Sequence, residues 1–560
     1  MSQLSIIPLG GQSEIGQVLW VFSYGGELLL VDAGATYPGE DLPGVDLLLP
    51  NTSFLESNQE RIVALLLTNG HEEHSGAITH LLKHLKIPRV MAPSFLSALV
   101  SQKLLNQNND TIIDTIKTRH PYQLGPFLVE WIPVNDAIAD ACALSINTPE
   151  GNIIYTSSFK LDQTPVDGRL LDAGYLACAG DTGVLLLISN SAGVENPGYT
   201  PSEKSIAHNL QTEFNNASGR VIIILPGTNT HRLQLIFDLA STLERKVILH
   251  GEALIQTALV AVISGHLAYD RKIEATMSDL EKLPDQKVLI LATGQEGDPM
   301  DFLNQLANGK LPEFSLKSTD TVIYSADIDL GGSRRMAMIL DKLLAAGVKI
   351  VQGTRGGVHT SRYASQEELK FMLSLVRPKY FVPCLGEGRH IMHHAQLAIG
   401  WGMPANCVFP LRNGEILEVE GHQAKLAGNI DSKAVLYNRY QGEIVATFSV
   451  KERRVLSSDG SLTIACTLDD KGQLVAGPVI EAGASGFLKS NDWALIQEEI
   501  KVGITDLIDD FSRNAHKNID GLRSAIREHS SKLIRSRLQS KPVVHVVVQT
   551  LASSSPKLSS

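Results

Sequence analysis

A chain of 560 residues, 43 % hydrophobic and 19 % charged, has room for about three to five domains and enough apolar residues to bury their cores, which excludes a single small fold and wholesale disorder. With 49 Lys plus Arg against 60 Asp plus Glu the net charge is −11, so an anionic partner has to be met by a local basic patch, because the field of the whole molecule repels it. The five scattered cysteines (Cys142, Cys178, Cys384, Cys407 and Cys466) include no C-x-x-C pair, no basic-then-apolar leader opens the chain, and no apolar stretch reaches the ~20 residues of a membrane helix, so no disulfide framework, cysteine zinc site or membrane span is expected and the setting is read as cytoplasmic.

Short Val, Ile and Leu runs bounded by Gly, Pro and Asn predict buried strands at 27–31, 62–67, 127–134, 152–156 and 184–189, with a helical pattern at 76–85. From 202 to about 351 a regular alternation follows. Strands at 219–226, 246–249, 288–292 and 321–324 are separated by helical stretches such as 232–243 and 333–346, a spacing that predicts a doubly wound parallel sheet. After about residue 428 the pattern changes again, to strands at 445–451 and 461–468, two amphipathic helices and a last strand at 543–548.

The first of those helices carries Trp493, Ile496, Ile500, Ile504, Leu507, Ile508 and Phe511, the second Leu522, Ile526, Leu533 and Leu538. Each has one apolar stripe to bury, either in its own domain or against a second chain. The tail at 552–560 is small and polar and is expected to be disordered.

Chemistry concentrates at LLLTNGHEEHSG, residues 65–76. A buried strand ends at Thr68, the chain turns at Gly70, and two histidines and two carboxylates follow within four residues. Such donors suit hard or borderline metals, and a loop at the carboxyl end of a strand can converge them. His80 and His84, one helical turn apart, read as helix surface.

In this segment the chain resembles the metallo-β-lactamase superfamily, whose loop usually reads T-H-x-H-x-D-H, and the wider context resembles the ribonuclease J family of β-CASP nucleases. The likeness runs through LGGQSEIG (9–16), VDAG (31–34), FKLDQTPVDG (159–168), NPGYTPSE (196–203), THRLQ (230–234), VHTSRYASQEELK (358–370), RPKYFVPCLGEGRH (377–390) and RSRLQSKPVVHVVV (535–548). It implies an α/β fold: a metallo-β-lactamase αββα sandwich from 1–203 and 354–428, a β-CASP domain inserted at 204–353, a linker at 429–450 and a C-terminal α/β domain at 451–551. It also implies RNA as substrate and two metal ions that clamp the phosphate and activate water.

The ligand positions depart from that pattern. Asn69 stands at the leading His, Glu73 at the Asp, Asp136 at a His of PVNHS, Ser158 at the bridging Asp of TGDFK and Leu385 at the last His of PVHGE; His71 and His74 remain. Two-metal hydrolysis needs ions about 3.5–4 Å apart under a shared bridge, and Ser158 is a poor bridge while Leu385 has no donor. The reading is therefore a binding or scaffolding subunit for RNA processing and decay, weak or inactive in hydrolysis and without tightly bound metal. Two rivals stay open. One is an active nuclease with a reorganised zinc or manganese centre on His71, Glu73, His74 and Asp136, the residual catalytic set being His71, Glu73 and His74. The other is an interaction protein that has left RNA.

Further departures are Asn190, where the family usually has Asp, and Tyr363, where it has a second His. His231, Arg232, His359, Ser361 and Arg362 are the expected RNA contacts, with Lys160, Arg355 and Arg389 nearby in a basic patch. The resemblance further implies a homodimer, or a hetero-oligomer with an active ribonuclease J-like paralogue, and no membrane partner.

Overall fold

Strands Leu4–Gly10, Leu19–Tyr24 and Glu27–Val31 are buried along most of their length, which a strand achieves only between two other layers. They lie in the middle of an eight-stranded sheet ordered Gln423–Asn429, Glu415–Glu420, Leu4–Gly10, Leu19–Tyr24, Glu27–Val31, Ile62–Leu66, Val90–Ala92, Ile113–Thr115. A six-stranded sheet runs Pro378–Cys384, Val184–Asn190, Gly151–Tyr155, Cys142–Thr148, Phe127–Pro133, Tyr122–Leu124. Between them Trp20, Phe22 and Leu29 of the first meet Trp131, Leu144 and Ile188 of the second. Helical Leu81, Leu96 and Val100 cover the outer face of the first sheet, and Leu176, Met372 and Ala395 that of the second. This is the αββα layering that the resemblance implies.

The computed structural model describes residues 3–39, 42–294, 297–327, 333–353, 356–421, 423–439, 441–483, 493–513 and 518–551. Arg355 and the tail at 552–560 lie outside them. The chain forms two compact units, residues 1–36 with 49–435 and residues 37–48 with 436–560.

In the first unit both sheets end on strands from far along the chain. Pro378–Cys384 pairs in parallel with Val184–Asn190, from Val184↔Pro378 to Asn190↔Cys384, and Glu415–Glu420 pairs antiparallel with Leu4–Gly10. Between these partners the chain builds a wholly parallel sheet ordered Glu274–Ala275, Lys246–His250, Val288–Ala292, Val221–Ile224, Thr321–Tyr324, Lys349–Gln352. Ile222, Ile290 and Phe302 pack on one face and Ile223, Leu289 and Ile236 on the other. Helices on both faces make it the doubly wound insert.

Helix Gly388–Gly400 carries a titratable group onto the six-stranded sheet of the sandwich. His394 is fully buried, edge-on to the Phe381 ring with centroids 4.8 Å apart, its Nδ1 3.0 Å from Ser191 Oγ. Burial alone pushes its pKa down to about 3. In the unfolded chain it titrates near 6.5, so between those values the unfolded state binds the extra proton and stability falls as pH falls from about 6.5 toward 3. His394→Leu should flatten that limb of a stability–pH curve measured by urea unfolding, by up to about 5 kcal/mol across the window.

In the second unit strands Leu474–Gly483, Ser461–Leu468 and Val543–Thr550 form one sheet. Helices Trp493–Arg513 and Ile519–Leu538 bury Ile496, Ile500, Ile504, Ile508, Leu522 and Ile526 against Leu462, Ile464 and Val548. Both stripes are thus core of their own unit, which removes them as support for an oligomer interface. The segment 445–451, whose alternation predicts a strand, is instead largely helix Thr447–Ser458. The Lys, Glu, Arg and Leu that follow favour helix, and Val450 is the residue this helix buries, with Val45 and Val445. Residues 429–450 hold strands Val435–Asn438 and Glu443–Ile444, in a small sheet with Leu47–Leu49. Among the described residues no helix is long and apolar enough to cross a membrane.

Candidate active site

Strand Ile62–Leu66 leads into the loop at 67–71 and a single helical turn, Glu72–Ser75. That turn is tied to its neighbours through backbone bonds: Ala33 N–H donates to His74 O at 2.8 Å, Ala35 N–H to Glu72 O at 2.9 Å and Val18 N–H to Glu73 O at 3.0 Å. A Cβ on Gly34 would lie 1.7 Å from the Glu73 carbonyl oxygen, so the glycine of VDAG is required by close approach.

Asp32 orders the inner half of the cleft. Fully buried, it accepts from Thr68 N–H at 3.0 Å, Thr68 Oγ1 at 2.8 Å, Tyr155 OH at 2.8 Å and His74 Nδ1 at 2.7 Å. An ionised carboxylate only accepts, so Nδ1 of His74 carries the proton and Nε2 is left as acceptor. Ser158 supplies the donor, its Oγ donating to His74 Nε2 at 3.1 Å while accepting from Asn69 Nδ2 at 3.2 Å. Burial, together with the Asp32 charge, pushes the Tyr155 phenol well above its ordinary pKa.

His71 is engaged in the same way. Its Nε2 lies 3.0 Å from Asp136 Oδ1 and its Nδ1 2.8 Å from Thr228 Oγ1, so Nε2–H donates to the carboxylate and the threonine hydroxyl donates to Nδ1. Burial first, and the Arg362 charge second, push its pKa down to about 4, which keeps the ring neutral. Asp136 Oδ1 also accepts from Ala137 N–H, whereas Asp136 Oδ2 has no hydrogen-bond partner. Leu385 takes its place through its backbone, N–H to Gly11 O at 2.8 Å, and its side chain, 1 % exposed, joins Tyr155 and Cys384 in the sandwich core.

At the mouth, Glu73 forms an ion pair with Arg362 and accepts from Tyr363 OH at 3.2 Å. Arg362 lies over the Tyr363 ring, 4.6 Å from its centroid, with Nη2 2.5 Å from the phenol oxygen, and its Nη1 is buried without a hydrogen-bond partner.

The structure spreads the expected RNA contacts over two depths. Arg232 is fully buried, with Nε and Nη2 on Glu203 at 2.8–3.1 Å, Nη1 on Ser325 O at 2.7 Å and His359 Nδ1 at 2.8 Å, and Nη2 also on Thr360 O at 3.1 Å. These bonds occupy the guanidinium and place its charge against Glu203, the arrangement of a structural cation. Lys160, 1 % exposed, faces the same carboxylate at 3.8 Å. Burial works to raise the Glu203 pKa, but the Arg232 and Lys160 charges outweigh it and hold the carboxyl below its ordinary range. His359 bridges Arg232 and Asp327, 2.8 Å from each. His231 Nδ1 donates to Asp136 O at 3.0 Å. Ser361 Oγ accepts from Tyr363 N–H at 3.2 Å, and Arg389 is exposed, paired with Glu195 and Glu387. Asn190 is buried, its Oδ1 accepting from Ala192 N–H at 2.9 Å.

These residues do not fit a pair of metal ions. Both surviving histidines have both ring nitrogens hydrogen-bonded, Glu73 is covered by a guanidinium, and Leu385 presents methyl groups. Among the described residues no three His, Cys, Asp or Glu side chains come together as a set that could hold an ion. Sequence reasoning names Asn69, His71, Glu73, His74, Asp136, Ser158 and Leu385; the structure joins Asn69, His71, His74, Asp136 and Ser158 in one hydrogen-bonded cluster, pairs Glu73 with Arg362 and buries Leu385 in the sandwich core. It misses Thr228, which the insert supplies to His71 with no local signal, and Asp32, visible only as the acid of VDAG.

Comparison with known proteins places this geometry in context. Residues 218–343 match the family described as "Ribonuclease J, beta-CASP domain" and residues 448–551 the "Ribonuclease J C-terminal domain". The chain is 34 % identical to "Ribonuclease J" of Synechocystis sp., over 98 % of this chain and 87 % of that protein, and 29 % identical to "Ribonuclease J2" of Bacillus subtilis, over 97 % and 98 %. A crystal structure of a protein of unknown function from Enterococcus faecalis superposes with a TM-score of 0.52 at 16 % identity, covering 74 % of this chain and all of that one, a likeness of fold.

Proposed function

The chain belongs to the ribonuclease J family, and on that premise we propose that it is an RNA-binding member, weak or inactive in hydrolysis, that serves as a subunit in cytoplasmic RNA processing and decay. One observation carries the proposal: His71 and His74 are hydrogen-bonded at both ring nitrogens while Leu385 offers no donor at all. Without a metal-bound hydroxide the water is not activated, and without two ions the developing charge on the phosphate is not neutralised. His231, His359, Ser361 and Arg362 are the proposed RNA-side residues; buried Arg232 is not among them. The functional divisions proposed are a catalytic-type domain from 1–203 and 354–428, the insert at 204–353, and a C-terminal domain after a linker at 429–450.

Nuclease activity on 5′-monophosphorylated RNA, in manganese or zinc, tests this reading. The natural chain and the His71→Ala, His74→Ala double variant should show the same background, several orders of magnitude below an active relative. Efficient cutting by the natural chain that the double variant loses would replace this reading with a rebuilt metal centre on His71, Glu73, His74 and Asp136.

The subunit role implies a homodimer or a complex with an active paralogue. Light scattering at micromolar concentration should show a mass above that of the monomer, alone or after mixing with such a paralogue. A monomer under both conditions would remove the scaffolding half of the proposal.

A further inference from the structure

Arg362 sits where the cleft opens, and its surroundings are those of a cation filling a charge site. One side of the guanidinium pairs with Glu73, a ligand position of the family pattern, and stacks on Tyr363, which stands where that pattern has a histidine. Its other amino group, Nη1, is buried without a partner. A buried donor lacking an acceptor is rare in folded proteins and marks a place where another oxygen belongs.

Access separates Arg362 from the other cations of these motifs. Its side chain is 19 % exposed, against 0 % for Arg232 and 1 % for Lys160. Arg389 is exposed, but Glu195 and Glu387 already hold its guanidinium. Asp136, whose Oδ2 is unpartnered, is an anion that also contacts His71, so an incoming phosphate is favoured on the Arg362 side.

We infer that Arg362 is a built-in cation standing in for the metal ions, and that its Nη1 takes a phosphate oxygen of bound RNA; the second half rests on the RNA-binding reading above. A guanidinium supplies fixed charge and a planar donor fork suited to phosphate. Unlike a metal ion it generates no hydroxide, so the same group that grips the backbone leaves it uncut.

The test uses the full chain and a short 5′-monophosphorylated RNA, with affinity measured across a salt series. Arg362→Gln combined with Glu73→Gln removes the pair without leaving a buried charge alone. Affinity should fall about tenfold for unrelated sequences, and the slope of log K against log salt should shrink by about one, with the melting temperature close to that of the natural chain. If the natural chain binds RNA and the double variant binds equally with the same slope, the phosphate role is overturned while RNA binding stands. If the natural chain binds no RNA at low salt, the RNA reading itself fails and the phosphate role falls with it. Should the double variant not fold, Arg362→Lys keeps the charge and loses the fork, and unchanged affinity there overturns the role equally. The stand-in for metal has its own arm: stoichiometric zinc or manganese should leave the natural chain's melting temperature unmoved, and a rise of several degrees would overturn it.

Discussion

Arg232→Met is expected to destabilise the first unit by about 3–5 kcal/mol, the loss found when one partner of a buried ion pair is removed. Glu203, 1 % exposed, would keep only Lys160 at 3.8 Å, while Ser325 O and Thr360 O would lose their donor. Total stabilities of folded chains are about 5–15 kcal/mol, so urea unfolding should show a large shift or outright failure to fold. Adding Glu203→Gln should recover part of the loss, because the uncompensated charge then disappears. The dependence on pH should also change. In the natural chain the Glu203 carboxyl is held below its ordinary value, so its contribution is present above about pH 4.3 and is lost as pH falls through the folded pKa. Without Arg232 the charged form is disfavoured, and the variant's deficit should shrink in acid. A deficit independent of pH, or a substitution tolerated without loss, would mean that Glu203 is not held by Arg232.

Rebuilding the metal centre should demand five changes at once. Asn69→His, Asp136→His, Ser158→Asp and Leu385→His restore four of the five altered ligand positions, Glu73 still offering a carboxylate at the fifth, but no single change completes the set, and groups that act as a unit do not add. Arg362 supplies the fifth, because its guanidinium pairs with Glu73 where an ion would sit. Measured metal content should stay at trace level in each single variant and in the fourfold variant, and rise to about two ions per chain only when Arg362→Gly is added. Stoichiometric metal in the fourfold variant with Arg362 intact would contradict the displacement of metal by that side chain.

The layers were legible because their chemistry is local. Hydrophobic runs at 127–134 and 184–189 correspond to buried strands Phe127–Pro133 and Val184–Asn190, and the four-residue spacing of Ile496, Ile500, Ile504 and Ile508 is the spacing of a helix face that the structure buries. Where two local signals compete, as in 445–451, a short alternation lost to the helix formers that follow it. The ligand positions could be located from motifs, but the state of each could not. Arg232 looks in sequence like any basic residue near a loop, and its burial depends on Glu203 and Ser325, which only the folded chain brings together. The Glu73 and Arg362 pair joins two segments far apart in the chain, and Thr228 reaches His71 from the insert. Such contacts follow from topology, to which local periodicity is blind.

The edge pairing of the six-stranded sheet has a bearing on synthesis. Strand Val184–Asn190 is buried at every position, and its outer partner Pro378–Cys384 is made roughly 190 residues later, a wait of about 10–40 s at ordinary elongation rates. Strand Leu4–Gly10 waits longer still for Glu415–Glu420. Meanwhile the nascent chain carries apolar strand edges with no neighbour, the kind of surface that recruits holding chaperones or sticks to other nascent chains. A stop codon anywhere within the insert would therefore release an unclosed sandwich, and such fragments should accumulate as insoluble or rapidly degraded material.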